Sequence, residues 1–190
     1  MQTERLLLRA FRLDDAPVLA AYRSDPQVAR YQSWDAPFPL RDAVAFIAGL
    51  DGRDPRAEGW FQYAIERTQD GLLIGDVGVN RHDLGRQAEI GFTLEPRAQG
   101  HGYAAEAVRR VVDHLLVGEG LHRVHASVDG RNARSARLLS RLGFRREGLE
   151  LQSGLGEGGR QGRGKRPDDA RYAVLASEWS RSPSAESAPD

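Results

Sequence analysis

The pattern of apolar and polar positions changes its period within one stretch near the middle of the chain. Ile90, Phe92 and Leu94 alternate with other residues, as in a half-buried strand. Apolar residues then recur at helical spacing, at positions 104, 108, 111, 112, 115 and 116. A turn that contains Gly100 and Gly102 lies between the two patterns. The stretch therefore predicts a strand, a tight glycine turn and an amphipathic helix.

Periodicity elsewhere predicts the remaining strands and helices. Strands are predicted at residues 3–10, 60–68, 72–80, 86–94, 121–129, 145–151 and 171–176. Helices are predicted to begin at residue 14 or 15, at 41, at 102, and at 131 or 132. The turn Asp70-Gly71 favours a hairpin, so the three central strands are expected to form an antiparallel meander. The fifth strand is expected to run parallel to the fourth, because a strand, helix, strand unit makes a right-handed crossover.

A length of 190 residues is typical of one domain, to which we assign residues 1–179. Residues 30–40 hold two prolines and three aromatic residues, which favours a packed loop. Residues 153–169 contain six glycines and predict a mobile loop. Residues 180–190 offer almost nothing to bury, so we expect a disordered C-terminal tail.

Charge and composition exclude several classes of protein. The 27 basic residues balance the 27 acidic ones, which argues against a nucleic-acid partner and against an anionic membrane surface. The chain has no cysteine, so it has no thiolate nucleophile and no thiolate-bound zinc, and we expect no metal. It also lacks an N-terminal signal pattern and any run of about 18 apolar residues. We therefore expect a soluble, cytoplasmic protein.

The glycine turn suits a phosphate group, since the first N–H groups of a helix have no partner inside the helix and carry the positive end of its dipole. A Gly-x-Gly turn can equally be only a tight connection. The third glycine of the dinucleotide fingerprint is absent, and no Gly-Lys-Ser/Thr follows, so neither familiar phosphate motif applies. A different anionic cofactor is implied.

A second motif follows one crossover later. Arg97-x-x-Gly100-x-Gly102 precedes the third predicted helix, and Asn132-x-x-Ser135 opens the fourth. With the run Ala-Glu-Ile-Gly-Phe before them and Leu-Leu-x-x-Leu-Gly-Phe after them, they resemble the GNAT superfamily of N-acetyltransferases. The resemblance is closest to the branch that includes ribosomal-protein N-terminal (alanine/serine) acetyltransferases, and it covers roughly residues 3–179.

The resemblance implies the GNAT fold, of the α/β (α+β) class. This is a mixed, mostly antiparallel sheet of about seven strands, splayed between strands four and five and flanked by about four helices. It also implies acetyl-CoA as the co-substrate, with the pyrophosphate on the glycine turn and the pantetheine arm along strand four. The implied cofactor-binding residues are Phe92, Thr93, Leu94, Arg97, Gln99, Gly100, His101, Gly102, Tyr103, Ala104, Asn132, Ser135 and Arg137. Arg137 is implied to bind the 3′-phosphate, and Arg134 or Arg141 can take this role in its place. All three arginines can also simply form a solvated, charged face of the helix.

Two residues are assigned catalytic roles. In this branch Ser135 is implied to lie near the thioester sulfur, where it can protonate the leaving thiolate. Glu89 alternates with the apolar residues of strand four and is the best candidate for the base, although a solvated glutamate is the alternative.

Further residues are weaker candidates. Asp35, Asn80, His82 and Asp83 are weaker candidates for the base, and Trp34, Asp35, Asn80 and His82 are candidates for substrate binding. Phe38 and Trp60 can line the same pocket or only pack. Glu106 is expected to form a surface pair with Arg110.

The resemblance implies acetyl transfer to a primary amine by direct attack in a ternary complex. An α-amine with a pKa near 8 is about 10% neutral at pH 7, whereas a lysine-type amine with a pKa near 10.4 is roughly 0.04% neutral. The free energy of deprotonation at pH 7 therefore differs by about 3 kcal/mol between the two amines. A protein or peptide N-terminus is therefore the expected substrate. The alternatives are a small amine such as an aminoglycoside or polyamine, and a catalytically idle acyl-CoA-binding regulatory module. The sequence leaves a homodimer open.

Overall fold

A mixed sheet of seven strands runs through the part of the chain that the computed structural model describes, residues 1–151 and 168–179. The strands are β1 (Leu6–Ala10), β2 (Gly59–Arg67), β3 (Leu73–His82), β4 (Gln87–Leu94), β5 (Arg123–Asp129), β6 (Arg145–Glu150) and β7 (Asp169–Leu175). Their spatial order is β1-β2-β3-β4-β5-β7-β6. Strands β4 and β5 are parallel, and the other neighbouring strands are antiparallel. The predicted mixed, mostly antiparallel sheet is confirmed.

The described residues contain six helices, two more than the four predicted. They are α1 (Ala16–Ser24), α2 (Pro26–Ala29), α3 (Leu40–Ala48), α4 (Tyr103–Asp113), α5 (Ala133–Arg141) and α6 (Ala176–Trp179). The additional helices, α2 and α6, are single turns, too short to show a helical period. Pro26 ends α1 as expected, but it also opens α2, because the Asp25 side chain accepts hydrogen bonds from the N–H groups of Gln27 and Val28.

The helices cover both faces of the sheet and bury two hydrophobic clusters. The larger cluster packs α4 and α5 against one face, with Val108, Val111 and Leu139 against Val79 and Val124. The smaller cluster packs α1 and α3 against the opposite face, and includes residues 19, 43, 47 and 64. The first face therefore forms the main core, and the second is free to carry polar side chains beyond the reach of α1 and α3.

The β3–β4 hairpin begins later than the sequence indicated. Strand β3 continues to His82, two residues beyond the predicted end, and His82 pairs with Gln87. The turn is tight because Asp83 and Leu84 both adopt the left-handed conformation, each with φ of 55°. An exposed leucine with positive φ is uncommon, so the turn residues gave no signal for it. His82 consequently lies on the sheet and not in a loop.

Two predicted segments fall mostly or wholly outside the described residues. They are the glycine-rich loop, residues 153–169 apart from 168 and 169, and the tail, residues 180–190. The single domain over residues 1–179 stays a prediction. Within residues 1–151 and 168–179, no helix has the length and apolar character needed to cross a bilayer.

Candidate active site

The sheet opens between its two parallel strands. Strands β4 and β5 pair only at Gln87–Arg123, Ala88–Val124 and Glu89–His125. Beyond these pairs β4 continues to residue 94 and β5 to residue 129 without pairing to each other. The predicted splay between strands four and five is therefore present. Its vertex, where the two strands part, lies at Glu89 and His125.

The direction of the backbone groups decides what β4 presents to this opening. The N–H of Glu95, directly after β4, donates to the carbonyl of Ile74 on β3, at 2.9 Å. Successive residues of a strand direct their backbone N–H and C=O groups to opposite sides, so Thr93, two residues before Glu95, also directs its groups to β3. Phe92 and Leu94 direct theirs toward β5. Of the three strand residues predicted to meet the cofactor arm, Thr93 thus directs its backbone groups away from the opening, and its contact with the cofactor stays a prediction.

A cavity of about 60 Å³ lies in the opening and brings together residues from β4, β5 and the start of α5. Its lining includes Phe92, Asn132 and Ser135, which the sequence analysis had singled out. The Asn132 side-chain oxygen accepts the N–H of Ser135 at 3.2 Å, which fixes the first turn of α5 beside the cavity. Tyr31 and Gln32, from the loop after α2, line the cavity as well. No sequence pattern had marked these two residues.

The glycine turn has the geometry of an open cradle. Gly100 and Gly102 have φ angles of 85° and 81°, a region that L side chains rarely adopt. A Cβ built on Gly100 would meet nothing within 4 Å, so the space above it is open. Gly102 is the N-cap of α4, and no side chain caps the helix there. The first N–H groups of α4, beginning at Tyr103 and Ala104, are therefore placed to receive an anionic group.

Arg5, directly before β1, fixes the cradle, and no sequence pattern had marked it. Its guanidinium donates to the carbonyl of His101 at 3.1 Å and lies 4.7 Å from the centroid of the Tyr103 ring. It also bonds to Glu106, with Nε 2.7 Å from Oε2. Burial alone would raise the pKa of Glu106, but hydrogen bonds from Thr3 and Arg5 outweigh it and the pKa is lowered. The carboxylate is therefore ionised at neutral pH and holds Arg5 in place.

The expected surface pair between Glu106 and Arg110 is wrong. Glu106 bonds to Thr3 and to both the backbone and the side chain of Arg5. Arg110 instead donates to the carbonyl of Gln2. Residues four apart on a helix can form an ion pair, but Glu106 binds the segment before β1 because that segment offers several hydrogen-bond donors.

The arginines around the cradle divide between two sites. Arg134, at the start of α5, donates to the Gln99 side-chain oxygen at 3.2 Å, and the Gln99 amide donates to the carbonyl of Leu94 at 3.1 Å. These contacts place Arg134 next to the glycine turn, and the assignment of Arg137 to the 3′-phosphate stays a prediction. Arg97 lies on the other side of the turn, in the lining of a separate cavity of about 310 Å³ beside α1.

Polar side chains converge at the vertex on the face that carries α1 and α3. Glu89 is opposite Asn80 on β3 and opposite His125 on β5, so these three side chains point to one face. His82 lies on the same face, and its Nε2 is 2.9 Å from Nε2 of His125. The sequence analysis named Glu89, Asn80 and His82 but missed His125, because its place in the alternating pattern of β5 is that of an ordinary surface residue.

The loop of residues 30–40 is anchored on α1. Trp34 covers the guanidinium of Arg23, 4.2 Å from its ring centroid, and donates its indole N–H to the carbonyl of Arg23 at 3.1 Å. Phe38 exchanges hydrogen bonds with the hydroxyl of Ser24. The ring of Trp34 thus holds the loop in place, and its contact with substrate stays a prediction. Asp35 is exposed on the same loop.

A sheet opened between parallel strands, with an uncapped helix start at one end and ionisable groups at the other, defines a transferase for an extended anionic co-substrate. The family model of the acetyltransferase (GNAT) domain matches residues 5–145. The chain belongs to the GNAT family and is an acyl-CoA-dependent N-acetyltransferase.

Two relatives illustrate the sequence similarity. The uncharacterized N-acetyltransferase p20 of Bacillus licheniformis is 36% identical over 156 residues, which are 78% of this chain and 84% of that protein. The [ribosomal protein uS5]-alanine N-acetyltransferase of Escherichia coli is 34% identical over 157 residues, 78% of this chain and 79% of that protein.

Two solved structures illustrate the similarity of fold. A GNAT-family acetyltransferase from Bacillus anthracis has a TM-score of 0.81 at 25% identity, with 94% of this chain and 99% of that chain covered. The spermidine N-acetyltransferase of Vibrio cholerae, solved with CoA and spermine, has a TM-score of 0.77 at 21% identity, covering 93% and 99%. The second likeness shows the fold alone.

Replacing Arg5 by alanine is expected to raise the KM for acetyl-CoA about fivefold and to leave kcat within about twofold, because the cradle loses its anchor while the vertex is untouched. Steady-state kinetics at saturating amine measure both constants. Arg110→Ala, on α4 but bonded to Gln2 and not to the cradle, is the matched control and should change neither. A fall in kcat at constant KM would contradict a role for Arg5 in the cradle.

Proposed function

We propose that the enzyme transfers the acetyl group of acetyl-CoA to the α-amine of a peptide or protein N-terminus. The observation that carries the proposal is the charge of the sheet face around the vertex. Four carboxylates of β2 to β5 lie on this face, at residues 66, 76, 89 and 129. Glu66 is bonded to Arg9, Asp76 to Tyr22 and Asp129 to Arg131, so among the described residues Glu89 is the carboxylate at the vertex for which the structure records no ion pair. A single carboxylate at the vertex suits a substrate with one ammonium group.

The energetics of deprotonation support the same substrate. An α-amine with pKa near 8 needs about 3 kcal/mol less than a lysine-type or polyamine nitrogen near 10.4 to reach its neutral, nucleophilic form at pH 7. A polyamine carries several such charges and would call for several carboxylates beside the vertex. Among the described residues of this face, the carboxylates other than Glu89 are already bonded to neighbouring side chains, so a polycation would bind at the vertex with most of its charge unbalanced.

The open strands suit the extended arm of acetyl-CoA. The first N–H groups of α4 receive the pyrophosphate, with Arg134 nearby as a positive charge. The backbone groups of Phe92 and the N–H of Leu94 bond to the pantetheine arm, and Asn132 meets it from α5. With the thioester near the vertex, an N–H of β4 in the opening stabilises the oxyanion that forms when the amine attacks the carbonyl carbon.

Two side chains take part in the proton transfers. Glu89 faces the approaching amine and accepts a proton from the nitrogen. Ser135, in the lining of the cavity opposite Phe92, donates a proton to the thiolate as the carbon–sulfur bond breaks. The oxyanion then collapses to the amide.

An amine screen tests the substrate class. Thiol release from acetyl-CoA is expected with peptides that begin with alanine or serine, at a kcat/KM about tenfold or more above that for spermidine or an aminoglycoside. The physical reason is the lower pKa of the α-amine and the single carboxylate at the vertex. The same peptides with an N-terminal formyl group are the control and should release no thiol.

Three results of this screen would contradict the proposal. Preference for spermidine or for an aminoglycoside would assign a small-molecule substrate. Acetylation of the lysine side chain in a formylated peptide would assign a different amine on the same class of molecule. Tight binding of acetyl-CoA with no turnover on any amine would assign a regulatory acyl-CoA-binding module.

A further inference from the structure

The two histidines at the vertex form a pair that bridges β4. His82 is opposite Gln87, and His125 is opposite Glu89, so the rings come from the strands on either side of β4 and meet over it. Their centroids are 5.2 Å apart and the ring planes are inclined at 63°. The Nε2 atoms are 2.9 Å apart, the distance of a hydrogen bond in which one ring donates and the other accepts.

The two rings differ in their access to water. His125 is 8% exposed, whereas His82 is half-buried. The second nitrogen of His125, Nδ1, is buried and has no hydrogen-bond partner among the described residues. The one hydrogen bond that the structure records for this ring therefore goes to His82. Burying a polar nitrogen without a hydrogen-bond partner destabilises the folded protein, so the hydrogen bond to His82 is the recorded interaction that offsets the burial of this ring.

Burial keeps His125 uncharged. Desolvation, followed by the charge of His82, lowers the pKa of His125 to about 4. The groups that face it are His82 on β3, Arg123 on its own strand, Arg171 on β7 and Glu147 on β6, with Glu89 opposite on β4. Two nearby arginines and a second histidine act against a positive charge on the ring. At neutral pH His125 is therefore a neutral ring, and its Nε2 accepts from His82 in the tautomer that carries the proton on Nδ1.

We propose that His82 is a catalytic residue that takes up the proton of the incoming ammonium group, and that His125 is the positioning residue that holds it. In this state both nitrogens of His82 are donors, and its Nε2–H donates to Nε2 of His125. A hydrogen bond to the charged form stabilises that form, so the pair accepts one proton and places it on the half-exposed ring. The proposal deepens the proposed function and rests on an amine that arrives protonated.

The proton balance of the reaction gives such a group a role. An ammonium nitrogen loses two protons on its way to the amide, while the thiolate takes up one, so one proton leaves for solvent with each turnover. His82 accepts the first of the two at Nδ1, before attack, as the N–H bond of the ammonium breaks. It then releases this proton to water. The second proton passes from the nitrogen of the tetrahedral adduct to Glu89, and it balances the proton that the thiolate gains from Ser135.

The test compares two substitutions at His125 across pH. His125→Phe keeps a ring but removes the acceptor, so kcat/KM at pH 7 is expected to fall about fivefold. The loss should disappear near pH 9.5, where the amine is neutral without help. His125→Gln keeps an acceptor and should retain at least about half of the activity. His82→Gln should match His125→Phe, and the double variant should lose no more than either, because the two act as a unit.

A readout without substrate separates this proposal from the substrate assignment. In ¹⁵N NMR spectra of the whole protein without substrate, the ring-nitrogen signals of His82 should change in His125→Phe, because the hydrogen bond between the two Nε2 atoms is lost. His122→Phe, at an exposed position one residue before β5, is the matched control and should change neither these signals nor the rate. Unchanged His82 signals, an equal loss of activity at every pH, or additive losses in the double variant would each overturn the proposal. Failure of every amine in the screen would overturn the proposed function, while the NMR spectra still decide the role of His125.

Discussion

Replacing Gly102 by valine is expected to weaken acetyl-CoA binding by about 100-fold or more. At φ of 81° a β-branched residue is strained by roughly 1–2 kcal/mol, so the turn moves to relieve it. The N–H groups that open α4 then no longer converge on one point, and the new side chain sits 3.4 Å from the Arg5 guanidinium or displaces it. Isothermal titration with coenzyme A measures the affinity.

The matched control is another glycine with the same backbone conformation. Gly120 has φ of 74°, lies in the exposed link before β5, and has nothing within 4 Å of an added Cβ. Gly120→Val should therefore carry the same strain, lower the melting temperature by roughly 2–4 °C per kcal/mol, and leave coenzyme A binding intact. If Gly102→Val bound coenzyme A as well as Gly120→Val does, the glycine turn would not be the pyrophosphate site.

Replacing Ser135 by alanine is expected to lower kcat by at least about tenfold, with the KM for acetyl-CoA changed less than about twofold. The thiolate then leaves without a proton from the protein, and a water must supply it. The helix start should survive, because the cap of α5 uses the backbone N–H of Ser135 and the side chain of Asn132. Thiol release under saturating conditions measures kcat.

Ser140→Ala, on the exposed part of the same helix, should change neither constant. An unchanged kcat in Ser135→Ala would remove Ser135 from proton donation. A raised KM with constant kcat would assign it to binding of the pantetheine arm, because that pattern reports contacts that are equal in the ground and transition states.

The motifs near the cradle could be recognised in the sequence because each depends on local geometry. A glycine is needed wherever φ is positive, and Gly100 and Gly102 both have positive φ. The Asn132 side chain caps α5 by accepting the N–H of Ser135, three residues later, so the spacing of these two residues in the sequence is enough to predict the cap. The change of period from β4 to α4 predicted the strand, the turn and the helix within a few residues.

Contacts between distant segments could not be predicted. Arg5 and Glu106 are 101 residues apart, and only the packing of α4 beside β1 brings them together. His82 and His125 are 43 residues apart, and the exact register of three strands decides whether their rings meet. Sequence periodicity gives the face on which a residue lies, but a register shift of one would move both rings to the other face.

The order of the strands and of the four longer helices, the glycine cradle, the first turn of α5 and the family could all be derived from the sequence, because these depend on short-range backbone geometry and on motif spacing. The tertiary structure decided which backbone groups of β4 face the opening, that Arg5 anchors the cradle, and that His125 pairs with His82 at the vertex. Those features arise from strand register and from the packing of helices on the sheet, which join residues far apart in the chain.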